Sequence, residues 1–254
     1  MLTWQVAGHG PLRLLDERLG RVVAAGGIPA GLAEFFADLG NTAVALPVLS
    51  VVMVWAGWLG GRGVRSTAGV KGMAGSAGAV RGRAPVRWWL PPLAAGLALA
   101  AVPALVIPLK LWIARPGPPE MAGAAPAFYP SGHGATAAVA YGVAGLLLLR
   151  GRRGVRACDG AAAARPHPPA ATATATATPS VTATVVTVLV PLLTVGVGIG
   201  LVRRGYHWPL DVLGSWCLAG VLLAGWCAVC DRWDGGGGRA VRREASDGAG
   251  PDGP

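Results

Sequence analysis

Residues 181–230 read VTATVVTVLVPLLTVGVGIGLVRRGYHWPLDVLGSWCLAGVLLAGWCAVC, and this stretch decides the fold. Two apolar runs, 181–202 and 210–230, flank a short polar turn. Each run reaches the roughly 20 residues that an α-helix needs to cross the hydrocarbon core of a bilayer. The first run carries no charged residue, and the second carries only Asp211, in its first turn. Length and lack of charge predict two membrane-spanning helices that are joined outside the bilayer.

Three more runs of the same kind precede them, at residues 41–60, 88–109 and 132–149. The whole chain is 53% hydrophobic and only 13% charged, whereas soluble domains carry about 25% charged residues. We therefore expect an all-α fold, a polytopic transmembrane helix bundle with about five spans, within residues 41–230.

Residues 1–40 differ from the rest of the chain. They mix charged and apolar side chains, and Gly26, Gly27 and Pro29 interrupt them. This pattern is typical of an amphipathic helix that lies in the membrane interface. We predict an N-terminal interfacial segment here rather than a sixth span.

Two connecting segments, 61–87 and 150–180, carry eleven basic residues and a single acidic residue, Asp159. Their composition is Gly- and Ala-rich, and the second ends in the repetitive run ATATATATP, so both are predicted to be flexible loops. Loops rich in Lys and Arg remain in the cytoplasm. The basic charge, +10 overall, is therefore better explained by orientation in the bilayer than by nucleic-acid binding.

With those loops inside, segments 111–131 and 203–209 lie together on the outer side of a cell membrane. The Gly-rich tail, 231–254, lies inside and is predicted to be disordered. The outer side then holds the dense polar clusters of the chain: Lys110, Arg115, Ser131, His133, Arg203, Arg204, His207 and Asp211. Ionisable residues at span ends are functional candidates, although snorkelling of basic side chains and helix capping are the structural alternatives.

The run 130–133, PSGH, predicts an anion site at the start of the third span. Ser131 can cap the helix, which leaves the backbone N–H groups of Gly132 and His133 free to bind an anion. Glycine lets a phosphate approach the backbone closely. His133 can supply a proton to a leaving oxygen.

The run 207–211, HWPLD, places a histidine and a carboxylate one helical turn apart. Pro209 suits the first turn of a helix, and side chains at positions i and i+4 meet on one face. If the carboxylate of Asp211 accepts a hydrogen bond from one ring nitrogen of His207, the other nitrogen keeps its lone pair and can act as a nucleophile. A single pair of this kind is also common as a purely structural feature.

Transfer of a phosphoryl group requires neutralisation of its negative charge. The outer segments lack the carboxylate or histidine cluster that a metal site needs, so we expect no metal and no other cofactor. The available cations are Lys110, Arg115, Arg203 and Arg204. Arginine forks bind phosphate oxygens in a bidentate manner.

Taken together, these pieces resemble the three-part signature of the type 2 phosphatidic acid phosphatases, the superfamily that includes lipid phosphate phosphatases and vanadium haloperoxidases. The order is Lys110 and Arg115-Pro116, then PSGH, then Arg203 with His207 and Asp211. The resemblance covers about residues 88–230 and implies a six-helix core. It also implies that His207 is the nucleophile, that Asp211 orients it and that His133 is the general acid. The implied phosphate ligands are Lys110, Ser131 and Gly132.

Two departures from the family pattern concern basic residues. Four residues separate Lys110 from Arg115, where the family usually has six, and the usual register would fall on Gly117. The arginine that normally stands six residues before the last histidine is replaced by Leu201. The histidines stand at the positions of the family motif, whereas the arginines are displaced from theirs, so the resemblance assigns roles to the histidines more directly than to the arginines.

The resemblance implies a membrane phosphatase that hydrolyses a lipid phosphate or a polyprenyl pyrophosphate through a phosphohistidine. An outward-facing site favours undecaprenyl pyrophosphate, with phosphatidic acid and phosphatidylglycerol phosphate as further candidates. The alternative is a degenerate, non-catalytic protein that binds phospholipid or acts in transport. No internal repeat supports a transporter, and the apolar spans exclude a soluble haloperoxidase. The predicted location is the plasma membrane, and the predicted partners are lipids.

Overall fold

The computed structural model describes residues 2–8, 10–73, 87–124, 127–163 and 181–247. Within these residues the chain forms eight α-helices and one short 3₁₀ helix, Pro119–Met121, and contains no strand. The α-helices are α1 Leu2–Ala7, α2 Pro11–Ala24, α3 Ala30–Asp38, α4 Thr42–Met73, α5 Leu90–Ile113, α6 Gly132–Ala163, α7 Val181–Arg203 and α8 Pro209–Asp247.

Five helices are long and apolar enough to cross a membrane. Their spanning parts are Thr42–Arg62, Leu90–Ile113, Gly132–Gly151, Val181–Arg203 and Pro209–Trp233. They coincide with the five predicted runs to within a few residues. The predicted all-α transmembrane bundle is confirmed, and the chain is a multi-pass membrane protein.

Helix α6 lies at the centre of the bundle, where it packs against α4, α5, α7 and α8. Of its spanning part 67% is buried, against 11–28% for the other four helices. Small buried residues such as Ala135, Ala137 and Ala140 line it. In a bilayer, where helices associate by packing rather than by the hydrophobic effect, such residues let neighbouring backbones approach closely. A Cβ atom at Gly142 would lie 2.8 Å from Leu223 of α8.

The N-terminal segment forms three short helices instead of one. Helix α3 packs against α7, and α2 packs against both α7 and α8. Helix α2 is amphipathic, with Leu12, Leu15 and Leu19 exposed and Asp16 and Gly20 buried. None of the three helices has the length of a span. Their location in the membrane interface remains a prediction.

Three helices extend beyond their membrane-spanning parts. Helix α4 continues to Met73, α6 to Ala163 and α8 to Asp247. The segments predicted to be flexible loops and a disordered tail therefore begin as helix, and residues 74–86, 164–180 and 248–254 lie outside the described part of the chain. No proline occurs in 61–73, 150–163 or 231–247, so every residue there has the backbone N–H that continues a helix.

Candidate functional site

Most of the predicted polar residues meet at one end of the bundle. The backbone N–H of Ser131, just before α6, donates to the carbonyl oxygen of Asp211, in the first turn of α8, over 2.9 Å. His133 lies within electrostatic reach of His207 and of Lys110, in the last turn of α5. Lys110 is likewise within reach of Asp211. The ends of α5, α6 and α8 thus bring two histidines, a lysine and an aspartate together.

Ser131 caps α6 as predicted. Its buried Oγ accepts the N–H of Gly134 over 3.2 Å. The N–H groups of Gly132 and His133 have no acceptor among the described residues. A Cβ atom at Gly132 would find its nearest neighbour, Val106, only at 4.0 Å. The start of α6 therefore offers free donors and space beside them, which is what an anion requires.

Gly134 has a different role from Gly132. A Cβ atom at Gly134 would lie 2.5 Å from Oγ of Ser215 on α8. Glycine at this position lets α8 approach the first turn of α6. The side chain of His133 is exposed and that of His207 is buried, so the two imidazoles differ in their access to solvent.

The turn before α8 is fixed by the end of α7. Gly205 has φ +67°, and its N–H donates to the carbonyl of Val202 over 3.0 Å. The N–H of Tyr206 donates to the carbonyl of Leu201 over 2.9 Å. These two bonds form a Schellman motif, whose left-handed position favours glycine. The motif reverses the chain and delivers His207 two residues later.

Asp211 organises the first turn of α8 around His207. Its Oδ2 accepts the backbone N–H of Trp208, the residue before the helix, over 3.0 Å. This is the reciprocal half of a capping box. The same Oδ2 lies 3.5 Å from Nδ1 of His207, so a movement of about half an ångström completes an N–H···O bond. Phe128 meets the imidazole edge-on, with ring centroids 5.7 Å apart.

Arg115 lies between two carboxylates. Helix α5 ends at Ile113, and the guanidinium of Arg115 is fully buried. Nη1 donates to Oδ1 of Asp211 over 2.6 Å, and Nη2 donates to Oδ2 of Asp16 over 2.5 Å. The structure thus brings Arg115 to the site, but its guanidinium forms an ion pair with Asp211 instead of pointing at the start of α6 as a phosphate-binding group.

The other two predicted arginines do not join the histidines. Arg203 donates from Nε to the carbonyl of Ile28 over 3.0 Å and from Nη1 to the carbonyl of Ala24. It therefore satisfies backbone groups at and after the end of α2. Arg204 forms an ion pair with Glu34 of α3. Both side chains hold the N-terminal helices against α7 instead of pointing at the start of α6.

Asp16 belongs to the polar cluster although nothing in the sequence singled it out. It is 4% exposed, and besides Arg115 it binds the backbone N–H of Leu210 through Oδ1 over 2.7 Å. Burial raises the pKa of the Asp16 carboxyl, while the hydrogen bond and positive charge of Arg115 oppose that rise. In the sequence Asp16 stands beside Glu17 and Arg18, where it resembles one more residue of a solvated helix face.

The cluster combines backbone hydrogen-bond donors, two imidazoles and cations with the carboxylates of Asp211 and Asp16. Within the residues that the structure describes, no three His, Cys, Asp or Glu side chains are grouped as the ligands of a metal ion would be. What the arrangement can do chemically is hold an anion at the start of α6. It can also present the imidazole of His207, which Asp211 orients. The second imidazole, that of His133, is exposed and can exchange protons with solvent or substrate.

Comparison with known proteins identifies the family of the chain. The family model of the PAP2 superfamily matches residues 91–234, more than half of the chain. The structure is also similar to the crystal structure of a transmembrane PAP2 type phosphatidylglycerolphosphate phosphatase from Bacillus subtilis. The TM-score is 0.60, with 91% of this chain and 92% of that chain covered at 18% identity. No curated protein matches the chain significantly. The matched region includes every predicted site residue and the spanning parts of α5 to α8 except Leu90. The chain belongs to the PAP2 superfamily.

Proposed function

We propose that this membrane protein is a lipid phosphate phosphatase that works through a phosphohistidine on His207. The observation that supports the proposal best is the approach of His207 to Asp211, whose carbonyl oxygen is hydrogen-bonded to Ser131 at the start of α6, beside the free N–H groups. A nucleophile, its orienting carboxylate and an anion site are the parts that covalent phosphoryl transfer requires.

In the proposed reaction Asp211 accepts a hydrogen bond from Nδ1–H of His207, which leaves Nε2 with its lone pair. Nε2 attacks phosphorus, a P–N bond forms, and the bond from phosphorus to the leaving oxygen breaks. His133 donates a proton to that oxygen. His133 then removes a proton from water, the resulting hydroxide attacks phosphorus, and the P–N bond breaks to release phosphate.

The phosphate itself would bind at the start of α6. Ser131 and the N–H groups of Gly132 and His133 supply hydrogen-bond donors, and Lys110 supplies positive charge. The sequence also assigned Arg115, Arg203 and Arg204 to this task. We now propose Lys110 as the principal cation, because the three arginines are held by Asp211 and Asp16, by backbone carbonyls and by Glu34.

The position of the site suits a lipid substrate. Lys110 is followed by Leu111 and Trp112, which are 71% and 76% exposed. An exposed tryptophan at the end of a span is typical of the headgroup level of a membrane, so the phosphate site would lie at the depth of lipid headgroups. We propose an outward-facing site in the plasma membrane and undecaprenyl pyrophosphate as the favoured substrate.

Phosphate release from purified protein in detergent tests this function. The panel comprises undecaprenyl pyrophosphate, phosphatidic acid and phosphatidylglycerol phosphate, and the control is His207→Gln, which keeps the size of the side chain. We expect release from at least one lipid by the wild type and none by the variant. Equal release by both proteins, or none by either from any lipid, would contradict the proposal.

The arginine contacts favour a second candidate, a non-catalytic protein that binds lipid phosphates. If the three arginines are unavailable to the phosphate, the transition state loses part of its charge neutralisation. This candidate predicts that lipid phosphates bind to the wild type and to His207→Gln equally and that neither protein releases phosphate.

A further inference from the structure

Helix α2 brings one carboxylate into the polar cluster at the end of the bundle that carries His133 and His207. Asp16 is buried, while its neighbour Glu17 pairs with Arg13 along the helix surface. Burying a carboxylate is costly unless charged partners and hydrogen bonds compensate for it. Asp16 has both kinds of partner, one on each oxygen.

The first oxygen of Asp16 acts on Asp211 through Arg115. Oδ2 accepts Nη2 of Arg115, and the other terminal nitrogen of the same guanidinium donates to Oδ1 of Asp211. The guanidinium is planar, with its donors in a rigid fork. The position of Asp16 therefore fixes the direction from which Arg115 holds Asp211.

The second oxygen of Asp16 acts on the first turn of α8. Oδ1 accepts the N–H of Leu210 over 2.7 Å, one of the first-turn donors that have no partner within a helix. A Ser, Thr, Asn or Asp before the helix normally provides such a cap, but Trp208 occupies that position. Asp16 thus caps α8 from another helix, one residue before Asp211.

We propose that Asp16 is a positioning residue for phosphoryl transfer. It fixes Asp211 through Arg115 and through the first turn of α8, and Asp211 in turn orients His207. This role rests on the proposed function of His207. The catalytic centre is then completed by the N-terminal segment, which lies outside the region matched by the family model.

Asp16→Asn is the most direct test, because asparagine keeps the size of the side chain and an oxygen for Leu210 but loses the charge that faces Arg115. We expect kcat for the best lipid phosphate to fall about 10- to 100-fold, the scale of a misplaced reacting group, with KM unchanged. The matched control is Glu17→Gln, which changes the neighbouring acid at the surface and should leave kcat at the wild-type value. Unfolding temperatures in detergent verify that equal amounts of folded protein are compared.

A double-mutant cycle separates positioning from simple stabilisation. In the Asp211→Asn background, Asp16→Asn should cause little further loss of kcat, because both residues act on His207 in series. A residue that only stabilises the fold would lower the unfolding temperature and leave the folded protein at the wild-type kcat. A lower unfolding temperature with an unchanged kcat would therefore overturn the proposal.

Vanadate binding provides a readout that needs no turnover. Vanadate accepts a fifth ligand as phosphorus does in the transition state, so it probes a correctly oriented His207. We expect the affinity of Asp16→Asn for vanadate to be about tenfold weaker than that of the wild type and of Glu17→Gln. Equal affinity in all three proteins would overturn the role of Asp16. Failure of the proposed function would instead appear as absence of phosphate release by the wild type, and the vanadate comparison still decides the role of Asp16.

Discussion

The backbone N–H of Ser131 donates to the carbonyl oxygen of Asp211 over 2.9 Å, which ties the first turn of α6 to the first turn of α8. This bond fixes the relative position of the helix that carries His133 and the turn that carries His207. One imidazole is exposed at the start of α6 and the other is buried in the turn before α8, so the two can perform different tasks in one reaction.

The two histidines are therefore expected to fail differently when replaced. His207→Ala removes the nucleophile and should reduce turnover to background on every substrate. His133→Ala removes a general acid, which contributes roughly 100- to 10,000-fold, so it should be severely impaired on an alkyl phosphate. With p-nitrophenyl phosphate, whose leaving group departs with little protonation, it should retain more activity than His207→Ala.

Asp211→Asn should fall between the two, because the nucleophile remains and its orientation is lost. Steady-state rates of the three variants on both substrates decide the assignment. If His207→Ala kept its activity while His133→Ala lost it, the roles would be reversed.

The Schellman turn before His207 makes Gly205 a sensitive position. Gly205→Ala forces a Cβ into the left-handed region, which costs about 1–2 kcal/mol, and places it 2.7 Å from the carboxyl group of Glu120. We expect a lower unfolding temperature in detergent. Gly220→Ala is the control, because Gly220 lies within α8 with nothing nearby, and alanine there favours the helix. Equal unfolding temperatures for the two variants would contradict the role of the turn.

The orientation can be tested with single cysteines in a background where Cys158, Cys217, Cys227 and Cys230 are replaced by serine. Gly75→Cys, in the basic segment 61–87, should be protected from an impermeant thiol reagent in intact cells. Ala122→Cys, an exposed position just after the 3₁₀ helix, should react. The opposite labelling pattern would place the site inside the cell.

Chelation tests the proposed charge neutralisation by Lys110 and helix N–H groups. Phosphate release should be the same with and without EDTA, because the proposed mechanism assigns no step to a metal ion. Lys110→Met should reduce release strongly under both conditions. Loss of wild-type activity in EDTA that magnesium restores would rule out the metal-independent mechanism.

Much of this architecture could be predicted from the sequence, because its signals are local. Each span is a continuous apolar run, and the PSGH and HWPLD runs lie at helix starts where backbone donors and i, i+4 neighbours follow from helix geometry. The cap by Ser131 and the proximity of His207 to Asp211 are both present in the structure.

The contacts that the sequence did not predict are between elements far apart in the chain. Asp16 binds Arg115, 99 positions away in the chain, and Leu210, 194 positions away. The pattern of apolar and charged residues within 1–40 cannot predict partners at such distances. The same limit applies to Arg203, whose carbonyl acceptors lie on and after α2. Its charge and the resemblance to the family signature predicted a phosphate ligand there, whereas the packing of α2 decided its actual contacts.

Trapping of the phosphoenzyme tests the central claim most directly. Wild-type protein is mixed with a ³²P-labelled lipid phosphate, quenched in alkali, which preserves phosphohistidine, and digested for mass spectrometry. The account predicts label on His207 in the wild type, greater accumulation on His207 in His133→Ala with a good leaving group, and none in His207→Ala. Label on any other residue, or label that persists in His207→Ala, would contradict it.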